Sequence, residues 1–206
     1  MNKTDRADID KKCLPFPMAA AWLLSLAAVA GWAWVIWGFS AAPDLTSSSM
    51  SRLVCEKLAD LWIFLARPEM TPQGRFALIE SLQFPVRKAA HFTEYAILGS
   101  LLVFHIRAAL KMAEPEKPVF EGRPVFTIIR RRPFIGGMAA GILYAVIDEI
   151  HQIFVPGRAC RAADVCIDSA GLLAGTLFTL AFISIYLNMK RRKKAGPKLS
   201  QDVKEC

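Results

Sequence analysis

Apolar residues in this chain gather into four long blocks separated by charged stretches. Residues 14–39, LPFPMAAAWLLSLAAVAGWAWVIWGF, carry no charge. A spanning helix needs about 20 apolar residues, so this block predicts a first membrane span. Residues 88–110 predict a second, apolar after Tyr95. Residues 133–154 predict a third and 163–187 a fourth, and the short connection at 155–162 makes these two a helical hairpin. Trp32, Trp34 and Trp37 cluster near the end of the first block, as an interfacial aromatic belt would. The other reading of that block is a cleaved secretory signal with Ser40-Ala41-Ala42 as its processing site, but a signal core runs only about 7–15 residues.

The intervening segments are of a different kind. In the loop at 40–87, Met50, Leu53, Val54, Leu58, Leu61, Trp62 and Leu65 fall at helical spacing over 50–66, with Arg52, Glu56, Lys57 and Asp60 among them. This predicts an amphipathic helix, too charged to span, that lies on a membrane surface or packs on its own bundle. Pro68, Pro72 and Gly74 end it, and a second short helix is expected at 75–84. Residues 1–13 and 188–206 read as polar tails, and 111–132 as a Pro-containing basic loop. The fold class expected is all-α: one polytopic membrane domain with four transmembrane helices plus an amphipathic extracytoplasmic helix.

Composition agrees with the pattern. Of 206 residues, 54% are hydrophobic, above the roughly 45–50% of soluble domains. The net charge of +8 does not point to nucleic acid, because Arg130-Arg131-Arg132 and Lys190-Arg191-Arg192-Lys193-Lys194 adjoin apolar blocks, where topology determinants and lipid contacts belong. Both basic segments lie on one side of a four-span protein, together with the N-terminus, and the positive-inside rule makes that side cytoplasmic. Cysteines at 13, 55, 160, 166 and 206 form no C-x-x-C pair and no zinc-ribbon spacing. A Cys55–Cys160 bridge is conceivable only if both lie outside the cell.

Charge inside the apolar blocks changes the picture most. Asp148, Glu149 and Gln152 close the third span, Asp164 and Asp168 open the fourth, and His91 and Glu94 stand in the first turns of the second. Ionisable groups within spans are costly and mark functional sites by default. With the cytoplasmic termini above, all three patches come to one depth on the extracytoplasmic side, below Arg158 and Arg161 of the hairpin. Helical spacing puts Gly137, Gly141, Ala145, Asp148, Glu149 and Gln152 on one stripe, and Asp164, Asp168, Gly171 and Gly175 on another. Small residues permit close approach in lipid, so these stripes are expected to face each other. Pro156 and Gly157 turn the chain between them. Arg158, Arg87, Lys88, protonated His91, shared protons or a bound cation are the candidates to offset the clustered acids. His151 falls off the acidic stripe, and His105 reads as a packing or interfacial residue.

Four readings of the cluster stay open. It is a structural polar network. It binds a cell-envelope molecule, with Lys88, Gln152, Arg158, Asp164 and Asp168 as binding residues. It is a hydrolase site using His91, Glu94, Asp148 or Glu149 as acid, base or ligand. Or it relays protons or transports. No H-E-x-x-H or other strong metal spacing occurs, so no metal or cofactor is assigned.

Three ordered motifs carry a resemblance. They are Arg87-Lys88-x-x-His91-Phe92-x-Glu94-Tyr95-x-x-Leu98-Gly99, then Asp148-Glu149-x-x-Gln152-x-Phe154-x-Pro156-Gly157-Arg158, then Asp164-Val165-x-x-Asp168-x-x-Gly171-x-x-x-Gly175. The chain resembles the VanZ-like family of small bacterial membrane proteins over roughly residues 30–187. Position 168 is Asp where Asn is also expected in such a family. The resemblance implies a bacterial cell-membrane protein, with a link to low-level resistance to the glycopeptide teicoplanin, and names no catalytic mechanism. The expected partners are membrane lipid and a cell-wall precursor or lipoglycopeptide.

Overall fold

The computed structural model describes residues 16–66, 69–114, 128, 132–158 and 160–195. Expectations for the tail at 1–13, most of the loop at 111–132 and the end of the basic tail fall outside these residues. Five helices are described: α1 (Phe16–Ser40), α2 (Asp44–Ala66), α3 (Pro72–Ala113), α4 (Arg132–Gln152) and α5 (Ala162–Ala195). All but α2 are long and apolar enough to cross a membrane. Large apolar side chains point outward on them, including Leu24, Trp34 and Phe178, each more than 70% exposed. Such surface suits hydrocarbon and not water.

α3 departs from expectation. The separate short helix at 75–84 and the span at 88–110 are one helix of 42 residues, with Pro85 inside it. Proline removes one backbone donor but does not end a helix held by packing on either side. At about 1.5 Å per residue, α3 is roughly twice as long as a hydrocarbon core requires.

The chain divides into two compact units: residues 1–29, 100–137 and 176–206 in one, and 30–99 and 138–175 in the other. The first unit has a core of Val103, Ile106, Phe134, Leu180 and Ile183, with Ile128 against them. His105 Nδ1 lies 3.1 Å from Ser25 Oγ, next to the Trp22 ring, so the buried polar atom of each has a partner.

In the second unit α2 packs antiparallel on the first half of α3. Arg75 donates to Asp60 Oδ1 at 2.7 Å, and Ser51 Oγ lies 2.9 Å from Gln83 Oε1. The buried face of α2 is Cys55 and Ala59, set against Ile79, Leu82 and Val86. The apolar stripe read from spacing points the other way: Leu53, Trp62 and Leu65 are each more than half exposed. Small residues let α2 approach α3 closely, and the bulky stripe is left for an apolar surrounding. Burial pushes the Cys55 thiol up from its ordinary range. Cys55, Cys160 and Cys166 are all free, so the Cys55–Cys160 bridge does not form.

The glycine stripes are also placed differently. Gly141 of α4 does face α5, where an added Cβ would meet Leu172. Gly171 and Gly175 of α5, however, lie on the backbone of α3, where a Cβ would run into the carbonyls of Phe92 and Ala96. Packing in this unit is thus closest between α3 and α5, not between α4 and α5. Gly137 belongs to the other unit and lies against Ile106.

Candidate functional site

The polar residues of the second unit are held by α1, α3, α4 and α5. Asp148 is fully buried, and its Oδ2 accepts from Ser40 Oγ at 2.7 Å and from Tyr95 OH at 3.4 Å. Its Oδ1 has no hydrogen-bond partner, while the His151 ring and the Gln152 amide also act on this carboxylate. Asp168 is equally buried, with Oδ1 unpartnered. It interacts electrostatically with Asp148, Glu149, Asp164 and Glu94, so the acids of α3, α4 and α5 share one neighbourhood. Buried charge is tolerated only where pairing or hydrogen bonding offsets it. The Ser40 and Tyr95 hydroxyls are neutral donors to Asp148.

The nearby cations are engaged with partners other than Asp148 and Asp168. Lys88 forms an ion pair with Asp164, linking α3 to the first turn of α5. An acid in that turn also favours the helix N-terminus. Arg158 reaches back to the end of α1: Nη2 donates to Phe39 O at 3.1 Å and Nε to Ala42 O at 3.2 Å, while Nη1 lies 3.4 Å from Gln152 Oε1. A guanidinium at a helix C-terminus satisfies carbonyls that have no intrahelical donor. Pro156-Gly157 makes this reach available. Gly157 has φ 78°, and Arg158 N donates to Val155 O at 3.1 Å. That is a turn with proline second and a left-handed glycine third.

Glu149 is almost wholly buried, and its Oε1 accepts from the backbone N of Arg161 at 2.6 Å, just before α5. It therefore anchors the hairpin to the next helix. His91 Nδ1 and Glu94 Oε2 are 3.7 Å apart, beyond hydrogen-bond reach, and neither has another partner. The Glu94 carbonyl accepts from Trp32 Nε1 at 2.8 Å. His151 is stacked on Trp37 with ring centroids 3.9 Å apart, and although the spacing set it off the acidic stripe it is near enough to act electrostatically on Asp148. Trp32 and Trp37 thus pack on α3 and α4, and only Trp34 of the three expected belt residues points outward. Tyr144 OH donates to Ala33 O at 2.6 Å. Together these contacts strap the last third of α1 to α4 and the hairpin.

Two cavities border these residues. One, of about 590 Å³, is lined by Arg52, Arg87, Lys88, Arg158 and Arg161, with Glu80 and Asp164 as its acids. Five cationic side chains against two anionic ones make it a basic cleft. Its size is within the roughly 300–1,000 Å³ of ligand pockets. The other, of about 250 Å³, is lined mainly by Phe39, Met50, Val54, Val86 and Ala90, and the two share Arg87, His91 and Arg158. No group of three or more His, Cys, Asp or Glu residues suited to a metal ion occurs among the described residues.

Sequence reasoning gave no role at the site to Ser40, Tyr95 or Arg52. Ser40 and Tyr95 supply the donors to Asp148, yet a hydroxyl at the end of an apolar run and a tyrosine inside a motif carry no signal of their target. Arg52 comes to the cleft from α2, through a helix pairing that spacing cannot register. Arg87 was visible only as one of several cations.

A family model described as VanZ/LLP1 matches residues 25–184. The matched region includes α2 through α4 whole, most of α1 and the first two thirds of α5, and with them every residue of the two cavities. No curated protein and no solved structure matches the chain.

Proposed function

The chain belongs to the VanZ/LLP1 family and is a multi-pass membrane protein, and from that premise we propose that it binds a cell-envelope component through an anionic group, phosphate or carboxylate, on the ligand. The observation that carries this reading is the basic cleft, with Arg52, Arg87, Lys88, Arg158 and Arg161 around one volume. Guanidinium groups pair with planar or tetrahedral oxyanions through charge-assisted hydrogen bonds. The Arg161 side chain is exposed at the rim and suits a first contact.

The cleft opens on the extracytoplasmic side in this reading. Lys190, Arg191, Arg192 and Lys193 close α5 at the end opposite Asp164, and basic residues favour the cytoplasm. Teicoplanin and cell-wall precursors, which the family resemblance brings to mind, are met outside the membrane. A link to glycopeptide resistance in a bacterial host belongs to this proposal.

A purely structural polar network is the second reading. It is favoured by Arg158, whose N–H groups already meet Phe39, Ala42 and Gln152. Arg161→Ala separates the two, because only the backbone of Arg161 takes part in the network. Purified protein in nanodiscs is titrated with inorganic phosphate, acetate and labelled teicoplanin. Binding of at least one probe that weakens several-fold in Arg161→Ala, and again with rising salt, supports the proposal. No binding of any probe at low salt overturns it in favour of the network.

A further inference from the structure

We propose that the ligand is a single-chain lipid, with its phosphate headgroup in the basic cleft and the first part of its chain in the adjoining apolar cavity. This rests on the anion-binding reading above and makes it specific.

The two cavities are not independent. Arg87, His91 and Arg158 form a wall common to both. α2 supplies neighbouring residues to each side: Arg52 to the cleft and Val54 to the apolar cavity. α3 does the same with Lys88 and Ala90. A ligand that fills both must therefore change from strongly anionic to apolar within a few ångströms, as a phosphate ester of a long alcohol does.

Magnitudes favour this division. At about 250 Å³ the apolar cavity is smaller than the usual ligand pocket, whereas the cleft at about 590 Å³ is within that range. The smaller volume reads as a subsite for part of one chain and offers no room for two. Arg52 is paired with Glu56 and Glu80 and Lys88 with Asp164, but Arg87, Arg158 and Arg161 add more positive charge to the lining than a single carboxylate needs, and a phosphate monoester carries about −1.5 to −2 charges at neutral pH. The cavity also has an outlet. Met50 and Val54 form its wall while being about half exposed, at 52% and 49%. They stand beside the bulky, outward-facing stripe of Leu53, Trp62 and Leu65 on α2. The rest of a long chain leaves along that stripe into the bilayer, which is also where such a ligand would arrive from.

Full-length protein in nanodiscs is titrated with inorganic phosphate, decyl phosphate and decanol, followed by ³¹P NMR for the phosphates and by calorimetry for all three, with empty nanodiscs subtracted. The variants are Ala90→Trp and Val54→Trp, which fill the apolar cavity from different helices, and Arg161→Ala. Partition into the bilayer raises decyl phosphate occupancy in every protein, so the comparison between variants decides. Wild type is expected to prefer decyl phosphate over inorganic phosphate by about tenfold more than either tryptophan variant does, with inorganic phosphate affinity the same in all three. Arg161→Ala weakens both phosphates, and decanol alone does not bind. An equal preference in wild type and both tryptophan variants overturns the lipid assignment and leaves the anion reading in place. Absence of binding by both phosphates overturns the anion reading itself.

Discussion

Ser40 Oγ donates to Asp148 Oδ2 at 2.7 Å, which ties the last residue of α1 to a fully buried acid of α4. Tyr95 OH of α3 reaches the same oxygen at 3.4 Å. Three helices thus converge on one carboxylate oxygen, and the stability of this unit depends on those donors. Ser40→Ala removes the shorter bond from a buried acceptor and is expected to cost about 1–3 kcal/mol. Tyr95→Phe removes the longer one and costs less. The double variant loses more than the two single effects added, because Asp148 Oδ2 then has neither donor. Unfolding of the four proteins in mixed micelles measures the cycle, and simple additivity would show that the two hydroxyls act separately.

Gly171 and Gly175 lie on the carbonyls of Phe92 and Ala96. Backbone cannot rotate out of the way as a side chain can. Either glycine changed to alanine forces α5 off α3 and is expected to cost about 1–3 kcal/mol. Gly136→Ala is the control. A Cβ there meets nothing within 4 Å, and alanine is the better helix former by up to about 1 kcal/mol. Equal destabilisation at all three positions would count against the close α3–α5 contact.

Lys88 is held by Asp164 at the edge of the basic cleft. Asp164→Asn frees that ammonium and removes one of the two acids from the lining. If the cleft takes anions, inorganic phosphate affinity rises several-fold at low salt and the gain shrinks as ionic strength increases. A fall in affinity would mean that Asp164 positions the binding residues and does not compete with the ligand.

The cysteines offer a test of orientation. Cys160 is exposed in the hairpin, whereas Cys55 is buried with a thiol held up in pKa. The thiolate is the reactive form. In a variant that keeps only Cys160, a membrane-impermeant maleimide is expected to label intact cells from outside. A variant that keeps only Cys55 labels slowly until the protein is denatured. Labelling of Cys160 only after the membrane is opened would invert the topology and remove the extracytoplasmic cleft from the proposal.

Much of the architecture can be read without coordinates because hydrocarbon imposes simple rules. A block such as 14–39 has few alternatives to a spanning helix, since every backbone polar group must be satisfied within the segment. The acids at 148, 149, 164 and 168 were conspicuous for the same reason. Other features were not legible. A short helix at 75–84 and a span starting at 88 looked separate, but α3 runs continuously through Pro85 with α2 packed along its first half. The stripe of Leu53, Trp62 and Leu65 fitted either a membrane surface or the bundle; it is turned outward, as suits an apolar surrounding, and Cys55 and Ala59 make the contact with α3 instead. Gly171 and Gly175 marked a close approach, but spacing assigned it to the third span, whereas they lie on the backbone of α3.

By itself, the sequence determined which segments are long and apolar enough to cross a membrane, where charge interrupts them, and the family to which the chain belongs. All of these follow from properties local to a segment: length, polarity and residue order. Only the tertiary structure decided that Ser40 and Tyr95 serve Asp148, that Arg158 clasps the end of α1, that Glu149 anchors the start of α5, and that α2 brings Arg52 to a cleft shared with α3 and the hairpin. These are pairings between groups as far as 119 positions apart. They depend on rotation of helices about their own axes and on which backbones can touch, and neither quantity is carried by the pattern of any one segment.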